Sequence, residues 1–547
     1  MKIIKISLII ALGIVGFFFE RGNFADEKWV HAYDESQVLD SSNFAFCHSY
    51  LLSNGNYVLA DAGGFDCFWL NEDAYVCNYW FIYVAETDKH GNLKWAKYLY
   101  NSASFSYPPD YYPSYVFTVS GVIDNKDGTF VVLIKGCPAS CFLLFDDRGN
   151  LISQKIAMYD LVGECIKTPD DNYFIVSDSY PVFSKYDVSL KKFVWYIVCD
   201  TIIPVGKWKG TFIQNNNFVL IFSYKDSDSI RTALAAFNEE GELVWAKGVN
   251  NSIPLNLYYL QEPFICSSSD GGFFIISCPW PHQYEGAFIM KLDSEGNIIW
   301  QRNVSHPSFP DDYYYYRGII GTEDGGVIVM DQQDSSTGGN LIKIDKDGTR
   351  EWVKNVDLDE NGNSIYRNGD NLVISTYGGY ENFTGRGGML LSLSSDGNYA
   401  EDCPVYWLYD IELISTNFSI SPLDLTFPKY VPSNFEGDGD FVAVDYTNYL
   451  SDWVICGEKF PGIISVQKLS NPFRLKLTGW NFEKGSKVYI NGKKAGIVDY
   501  KGKDKTNRTK LFVSGDGLKK KLPKGEKVCI TVINPDGHQS DCFYFTR

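Results

Sequence analysis

Two turn motifs alternate along the sequence with a period of roughly 50 residues, from about residue 50 to about residue 400. The first is a short polar turn before an aromatic or β-branched run, and it occurs as SNGNYVLA, NKDGTFVVLI, PDDNYFIV, QNNNFVLIF, SDGGFFIIS, EDGGVIVM and NGDNLVIS. The second is an acidic turn, usually with a glycine, before a run usually opened by tryptophan, as at Trp95, Trp195, Trp245, Trp300 and Trp352. Each motif occurs seven times. This period indicates a repeated unit that buries its apolar faces against its neighbours.

Each period contains four β-patterned runs, which is the size and content of a propeller blade. The predicted fold is therefore all-β: a seven-bladed β-propeller over residues 26–402, a β-containing connector over 403–463 and an immunoglobulin-like β-sandwich over 464–547. We expect the tryptophans to pack between neighbouring blades, and glycine or asparagine to supply the positive φ of the turns. The segment around Trp29 repeats the tryptophan-opened run, so the N-terminus is predicted to add one strand to the last blade and close the ring.

Two regions resemble known families. The repeats are similar to bacterial extracellular β-propellers of the quinoprotein-like and surface-protein type, whose repeats end in D-x-x-G-x-x-x-W, and this implies a fold but no activity. The segment FRLKLTGWNFEKGSKVYINGKKAG and the later VCITVINPDGHQSDC resemble the IPT/TIG family. The positions that match the family pattern are Gly479, Asn481, Phe482, Gly485, Val488, Asn491, Gly492, Asn534, Pro535 and Gly537. That resemblance implies a spacer, an interaction module or a polysaccharide-associated module, without catalysis.

The first residues predict export. Lys2 and Lys5 precede an apolar run from Ile6 to Phe19, which is typical of a signal peptide, here assigned to residues 1–25. An uncleaved N-terminal anchor is the alternative, and no further transmembrane span is predicted. We therefore expect a secreted or cell-surface protein.

Thirteen cysteines in an exported chain permit disulfide bonds. The candidate pairs are close in sequence: Cys67 with Cys77, Cys137 with Cys141, and Cys529 with Cys542. For the last pair, a β-turn at residues 534–537 would place Ile533 opposite His538 and Cys529 opposite Cys542. Buried free thiols on strands are the alternative interpretation.

Charge separates the C-terminal part from the rest. Residues 466–547 contain 18 Lys or Arg and 7 Asp or Glu, a net of +11, and subtracting this from the total of −18 leaves −29 for residues 1–465. A basic domain on an acidic body indicates docking onto an anionic envelope polymer, or back onto its own propeller. Solvated surface lysines are the alternative, and nucleic acid is not an expected partner.

The turn motifs also predict where a ligand would bind. If they join strands one to two and three to four of each blade, then all other connections emerge on the opposite side. The long aromatic segments belong to that second set, and exposed aromatic rings beside carboxylates suit a glycan or a protein surface. The candidate contacts are Trp69, Asp110, Tyr111, Tyr112, Trp280, His282, Tyr284, Asp311, Asp312, Tyr313, Tyr314 and Tyr315. The alternative is that half of these aromatic residues begin strands and pack inward.

The same sequence offers one candidate metal site and no catalytic residue. Asp357, Asp359 and Asn361 begin a calcium-like D-x-D-x-N-G run, but Ile365 and Asn368 stand where further carboxylates are expected, so a plain surface turn remains the alternative. No H-E-x-x-H or G-x-S-x-G motif occurs. We predict no cofactor apart from this calcium candidate.

The predicted function is a non-catalytic binding or adhesion protein, with the C-terminal domain as spacer or anchor. The alternatives are a carbohydrate-active enzyme, a glycosidase or lyase with carboxylates on the same face, and a structural component of a surface layer.

Overall fold

The computed structural model describes an almost entirely β-stranded protein. The described residues are 29–34, 48–71, 74–101, 118–135, 140–157, 163–177, 182–188, 192–199, 203–212, 217–226, 229–254, 263–277, 288–305, 314–333, 339–356, 364–378, 387–398, 412–415, 419–423, 429–430, 441–445, 451–457, 459–470, 472–503 and 508–547. Within them, the strands form nine small antiparallel sheets. The prediction of an all-β fold is confirmed.

Seven of these sheets follow one another along the chain, after a first strand β1 (Trp29–Asp34), and each is a meander of consecutive strands. Sheet 1 contains β2 (His48–Leu51), β3 (Tyr57–Asn71), β4 (Ala74–Thr87) and β5 (Leu93–Asn101). Sheet 2 contains β6 (Thr118–Asp124), β7 (Thr129–Lys135), β8 (Ser140–Asp146) and β9 (Leu151–Ala157). Sheet 3 contains β10 (Gly163–Lys167), β11 (Tyr173–Ser177), β12 (Val182–Asp187) and β13 (Lys192–Val198).

The remaining four of these sheets repeat the same order. Sheet 4 contains β14 (Ile203–Phe212), β15 (Phe218–Asp226), β16 (Ser229–Phe237) and β17 (Leu243–Pro254). Sheet 5 contains β18 (Phe264–Ser267), β19 (Phe273–Ser277), β20 (Phe288–Leu292) and β21 (Ile298–Ser305). Sheet 6 contains β22 (Tyr314–Gly321), β23 (Val327–Gln333), β24 (Gly339–Ile344) and β25 (Arg350–Val356). Sheet 7 contains β26 (Ser364–Asn368), β27 (Asn371–Gly378) and β28 (Gly387–Ser394).

Apolar side chains fill the space between successive sheets. Separate buried clusters join sheets 1 and 2, 2 and 3, 3 and 4, 4 and 5, and 5 and 6. Between sheets 6 and 7, Gly318 lies against Ile365, and Arg367 pairs with Glu323 at 3.6 Å. Another cluster joins sheet 7 back to sheet 1 through Val373 and Leu390. Each sheet therefore contacts the next, and the seventh contacts the first.

The spacing of the second turn motif, which recurs from one repeat to the next, is explained by packing. A Cβ on Gly296 of sheet 5 would lie 2.8 Å from the Trp245 ring of sheet 4, and φ at Gly296 is +73°. Glycine is thus required at this position for two reasons: the backbone is left-handed there, and the neighbouring indole ring leaves no room for a Cβ atom. The same contact recurs between Trp95 and Gly149, Trp195 and Gly241, Trp300 and Gly348, and Trp352 and Gly397. The predicted position of the tryptophans between neighbouring sheets is confirmed.

The N-terminal strand completes sheet 7, as predicted. Strand β1 pairs with β28, with Trp29 opposite Ser392 and Tyr33 opposite Gly388. Its other edge pairs with β33 (Ser451–Gly457), where Trp29 lies opposite Gly457. Strand β1 therefore lies inside a five-stranded sheet, between two strands from the far end of the chain.

The segment between the repeats and the C-terminal domain adds edge strands to five of the seven sheets. Its strands are β29 (Glu412–Ser415), β30 (Ile420–Pro422), β31 (Lys429–Tyr430), β32 (Phe441–Asp445) and β33. They pair, in that order, with the last strands of sheets 5, 4, 3, 1 and 7. The segment thus passes the sheets in reverse order and covers their outer edges.

Two further sheets form the C-terminal domain. Sheet 8 contains β34 (Gly462–Leu469), β35 (Arg474–Trp480), β38 (Ile497–Lys503) and β39 (Thr509–Ser514). Sheet 9 contains β36 (Lys487–Ile490), β37 (Lys493–Lys494), β40 (Lys527–Ile533) and β41 (Phe543–Thr546). One short helix, α1 (Leu518–Lys521), lies among the described residues, and the inward side chains of both sheets share one buried cluster.

The register predicted for the last hairpin is wrong by one residue at its turn. Ile533 lies opposite Gln539, and Cys529 lies opposite Tyr544. The reason is a wider turn, in which the Asn534 N–H donates to the carbonyl of His538 at 2.9 Å. The sulfur atoms of Cys529 and Cys542 are nevertheless joined in a disulfide bond.

Candidate functional site

The meander topology gives the seven sheets two different rims. Consecutive antiparallel strands reverse direction, so the connections from first to second and from third to fourth strand lie on one rim. We call this the tight-turn rim, because its connections are short, as at 52–56 and 88–92. All other connections lie on the opposite rim, which we call the long-connection rim.

The tight-turn rim is a dense network of hydrogen bonds. In a representative turn, Asp293 Oδ1 accepts the N–H groups of Glu295 at 3.0 Å and Asn297 at 2.7 Å. Neighbouring sheets are also linked, because the Ser53 N–H of sheet 1 donates to Asp124 Oδ2 of sheet 2 at 2.6 Å. Within sheet 6, Lys343 Nζ of β24 donates to both carboxylate oxygens of Asp324 at 2.7 Å. These polar groups hydrogen-bond to other residues of the protein, so the tight-turn rim offers few unpaired polar groups to a ligand.

The strand ends at the long-connection rim are joined in six places by segments longer than those of the tight-turn rim. These segments are residues 102–117, 255–263, 278–287, 306–313, 357–363 and 379–386. Most of the predicted contact residues fall on them and lie outside the described residues: Asp110, Tyr111, Tyr112, Trp280, His282, Tyr284, Asp311, Asp312 and Tyr313. The calcium candidates Asp357, Asp359 and Asn361 lie outside them as well.

The remaining three predicted contacts lie on strands that end at this rim. Tyr314 and Tyr315 begin β22, opposite Gln333 and Gln332 of β23. Trp69 lies on β3, opposite Tyr75 of β4. The backbone topology therefore places all three at the long-connection rim, and their role in ligand binding stays a prediction.

Strands β3 and β4 project beyond the rest of sheet 1 as a two-stranded ribbon. They pair from Tyr57 and Thr87 to Asn71 and Ala74, whereas β5 pairs with β4 only as far as Phe81. The ribbon extends at the long-connection rim and carries Trp69. Its register also places the backbone of Cys67 directly opposite Cys77, so the two residues are close enough along the ribbon for the disulfide pair, which stays a prediction.

The other predicted cysteine pair is not formed. Cys141 is a free, buried thiol on β8, within the apolar cluster between sheets 1 and 2, while Cys137 lies outside the described residues. Burial raises the pKa of the Cys141 thiol to about 12. Cys141 is therefore an unreactive core residue, as in the free-thiol interpretation of the sequence.

A buried carboxyl group lies beneath the long-connection rim and was missed from the sequence. Asp331, near the end of β23, is fully buried. Its Oδ1 accepts hydrogen bonds from the backbone N–H of Asn340 at 3.2 Å and from Asn340 Nδ2 at 2.9 Å. Its sequence signal is a single acidic residue that directly follows the apolar run VIVM.

A second polar group lies at the junction between sheets 7 and 1. Ser49 Oγ lies 2.9 Å from the hydroxyl of Tyr366 and 3.4 Å from Ser364 Oγ, and Ser364 Oγ lies 2.6 Å from Ser375 Oγ. Burial raises the pKa of the Tyr366 hydroxyl well above its usual value, so the group acts as a neutral hydrogen-bonding residue. No sequence motif marked this cluster, because its members come from distant parts of the chain.

The C-terminal domain contacts sheet 1 at the turn between β4 and β5. The Phe460 ring stacks on the His90 ring with centroids 4.1 Å apart, and the Trp480 indole N–H donates to the carbonyl of Leu93 at 2.8 Å. Lys89 Nζ lies 3.4 Å from Asp541 of the domain. Burial raises the pKa of the Asp88 carboxyl to about 6, against the opposing effect of His90. This contact is mainly apolar, and its ion pair uses an acidic group of the domain.

The described part of the chain contains no group of three or more His, Cys, Asp or Glu arranged to hold a metal ion. None of its helices has the length and hydropathy needed to span a bilayer.

No family model matches this chain, and no curated protein matches it either. Among solved structures it is similar to the Dos1 propeller, with 12% identity, coverage of 69% of this chain and 97% of that chain, and a TM-score of 0.37. It is also similar to the polysaccharide lyase Uly1, with 8% identity, 68% and 99% coverage and a TM-score of 0.37. A gluconolactonase from Xanthomonas campestris gives 10% identity, 51% and 89% coverage and a TM-score of 0.30. Similarities at this level assign no activity to this chain.

Proposed function

We propose that this chain is an exported binding protein in which a seven-bladed β-propeller holds a glycan or protein ligand at its long-connection rim. In this proposal each of sheets 1 to 7 is one blade, and the C-terminal domain is an immunoglobulin-like spacer or anchor. The signal-like segment at residues 1–25 supports export.

The observation that carries the proposal is the difference between the two rims. The turns of one rim use their polar groups in hydrogen bonds within and between sheets, whereas the other rim carries the long segments and the projecting ribbon. Long connections on a rigid β framework are where binding surfaces are normally built. The aromatic residues on those connections suit sugar rings or a protein partner, because they supply contact area with few rotatable bonds.

One observation favours an enzyme as the second candidate. Asp331 is a buried carboxyl group near the same rim, and a glycosidase or lyase would use such a group as a general acid or base once a bound glycan reached it. A glycosidase or lyase would release new reducing ends, and Asp331→Asn would abolish that release. A binding protein releases none.

The test is a glycan array probed with the full chain, followed by affinity measurements on the best ligand. Replacing Trp69 and Tyr314 together by alanine is expected to weaken binding about tenfold or more, because aromatic anchors contribute most of the energy of such interfaces. The control is Ile299→Ala, which removes a side chain that is 54% exposed on β21, outside the long-connection rim. Equal affinities of the rim variant and the control would contradict the proposed site, and release of reducing ends would favour the enzyme.

A further inference from the structure

The four strands of sheet 9 contain basic residues and no acidic residue. Their sequences are KVYI, KK, KVCITVI and FYFT. Burial alternates along them, so Val488, Ile490 and Val528 face the core. Lys487, Lys494 and Lys527 are exposed, so the outer face of the sheet is positively charged.

Tyrosines lie between these lysines. Tyr544 is 62% exposed, and the Lys527 ammonium lies 4.2 Å from the centre of its ring. Tyr489 is half-buried on β36, directly opposite Lys494 of β37. We define the basic aromatic face as Lys487, Tyr489, Lys494, Lys527 and Tyr544. Along β40 it extends over about 20 Å, from the position beside Lys487 to Lys527.

Helix α1 lies beside β37, at one edge of sheet 9, and brings a further lysine close to it. Lys521 of the helix donates to the carbonyl of Ala495 at 3.2 Å, which fixes the helix beside β37. Lys519 lies 5.3 Å and the Arg547 guanidinium 5.9 Å from the centre of the Phe473 ring. These two cations lie against Phe473, which precedes β35 of sheet 8, so they are not counted in the basic aromatic face.

The contact between the domain and sheet 1 does not use this face. The described contacts involve Phe460, Trp480 and Asn481, and the ion pair joins Lys89 of sheet 1 to Asp541. In the described contacts, the lysines of the basic aromatic face therefore form no ion pair with residues 1–465, although those residues carry a net charge of −29. The negative charge of residues 1–465 repels a polyanion, so an anionic partner is directed to the C-terminal domain.

We propose that the basic aromatic face binds a carboxylate-bearing linear polysaccharide. The lysine ammonium groups pair with successive carboxylates, and the rings of Tyr489 and Tyr544 stack on the apolar faces of the sugars. All the cations on the strands of this face are lysines, which are compact charges that pair with single anionic groups and do not impose the bidentate geometry of arginine. This site is separate from the long-connection rim, and the domain acts as an anchor to an acidic glycan layer.

The test measures binding of the full chain to polygalacturonate, with neutral dextran as reference. The combined variant Lys487→Gln, Lys494→Gln and Lys527→Gln is expected to weaken polygalacturonate binding about tenfold. Tyr544→Ala is expected to weaken it several-fold, while Tyr544→Phe retains it because the ring remains. The charge-matched control replaces Lys468, Lys476 and Lys503 of sheet 8 by glutamine, and it is expected to change affinity less than about twofold.

Several results would overturn this proposal. Equal weakening by the two lysine triples would mean that net charge alone attracts the polymer. Equal binding of dextran, or tighter binding of phosphatidylserine vesicles or single-stranded DNA than of polygalacturonate, would exclude a carboxylated glycan as the partner. Loss of polygalacturonate binding in the Trp69→Ala variant would place the polymer at the long-connection rim instead. If the Trp69→Ala variant retains polygalacturonate binding and the triple lysine variant of sheet 9 loses it, the result supports the basic aromatic face independently of the proposed site at the rim.

Discussion

A chain that begins at residue 36 is expected to lose most of its stability relative to one that begins at residue 26. The shorter chain lacks β1, which pairs with β28 at five positions and with β33 at six. Each lost backbone hydrogen bond is worth about 1 kcal/mol, so we expect a loss of about 5 kcal/mol or more, comparable to the whole stability of many proteins. Urea unfolding followed by tryptophan fluorescence measures the difference.

Both truncated chains lack the signal-like segment, so the chain from residue 26 is the matched control. A synthetic peptide of residues 26–36 is expected to restore part of the lost stability when added to the shorter chain, because it can occupy the gap between β28 and β33. Equal unfolding midpoints for the two chains would show that β1 does not join sheet 7.

Replacing Trp480 by alanine is expected to release the C-terminal domain from sheet 1. Trp480 is almost fully buried, packs in one cluster with Tyr57, Leu93 and Ala96 of sheet 1, and donates a hydrogen bond to the Leu93 carbonyl. Removing a buried tryptophan costs about 3 to 5 kcal/mol. Because most of that packing crosses the interface, the domain is expected to unfold in a separate transition and to be cleaved from the body by low protease concentrations.

Two variants separate docking from stability of the domain itself. Trp480→Phe retains an aromatic ring but loses the indole donor, so a loss of only about 1 to 2 kcal/mol is expected. Leu477→Ala opens a cavity in the core of the domain, where Leu477 is fully buried, and should lower the midpoint of the domain without releasing it first. A single unfolding transition and unchanged protease resistance in Trp480→Ala would contradict this account of the interface.

The parts of the fold that depend on local chemistry were predictable from the sequence. The turns around Gly296 and its equivalents need a left-handed residue at a fixed distance from an acidic one, and Trp245 must fit beside the next glycine. These requirements recur in each unit and therefore appear as a period. The strand at Trp29 was predictable for the same reason, since its sequence repeats the tryptophan-opened run of the other units.

The parts that depend on long-range pairing were not predictable. Strand β31 has only two residues, Lys429 and Tyr430, and β30 only three, so neither shows an alternation that specifies its partner. Their pairing is determined by the free edges of sheets 3 and 4, which exist only once those sheets have formed. The register of the last hairpin failed for a related reason, because the Asn534 to His538 turn is wider than the sequence NPDG suggests.

Three predicted contact residues lie on strands at the long-connection rim, and one buried acidic residue beneath that rim was missed. Trp69, Tyr314 and Tyr315 lie on strands that the topology assigns to one rim. Asp331, beneath the same rim, was not predicted, because one acidic residue after an apolar run resembles the end of an ordinary strand. A buried polar pair such as Asp331 and Asn340 becomes visible only when the two strands are placed side by side.

Closure of the seven sheets into a ring is the central claim, and an engineered cross-link tests it most directly. Ser49 of sheet 1 and Ser364 of sheet 7 are 315 residues apart in sequence, and their Oγ atoms are 3.4 Å apart. The double variant Ser49→Cys and Ser364→Cys should form a disulfide bond on mild oxidation of the folded protein, identified by mass spectrometry of the linked peptides. Absence of this cross-link in the folded double variant, with both thiols open to alkylation, would show an open stack of sheets and contradict the ring.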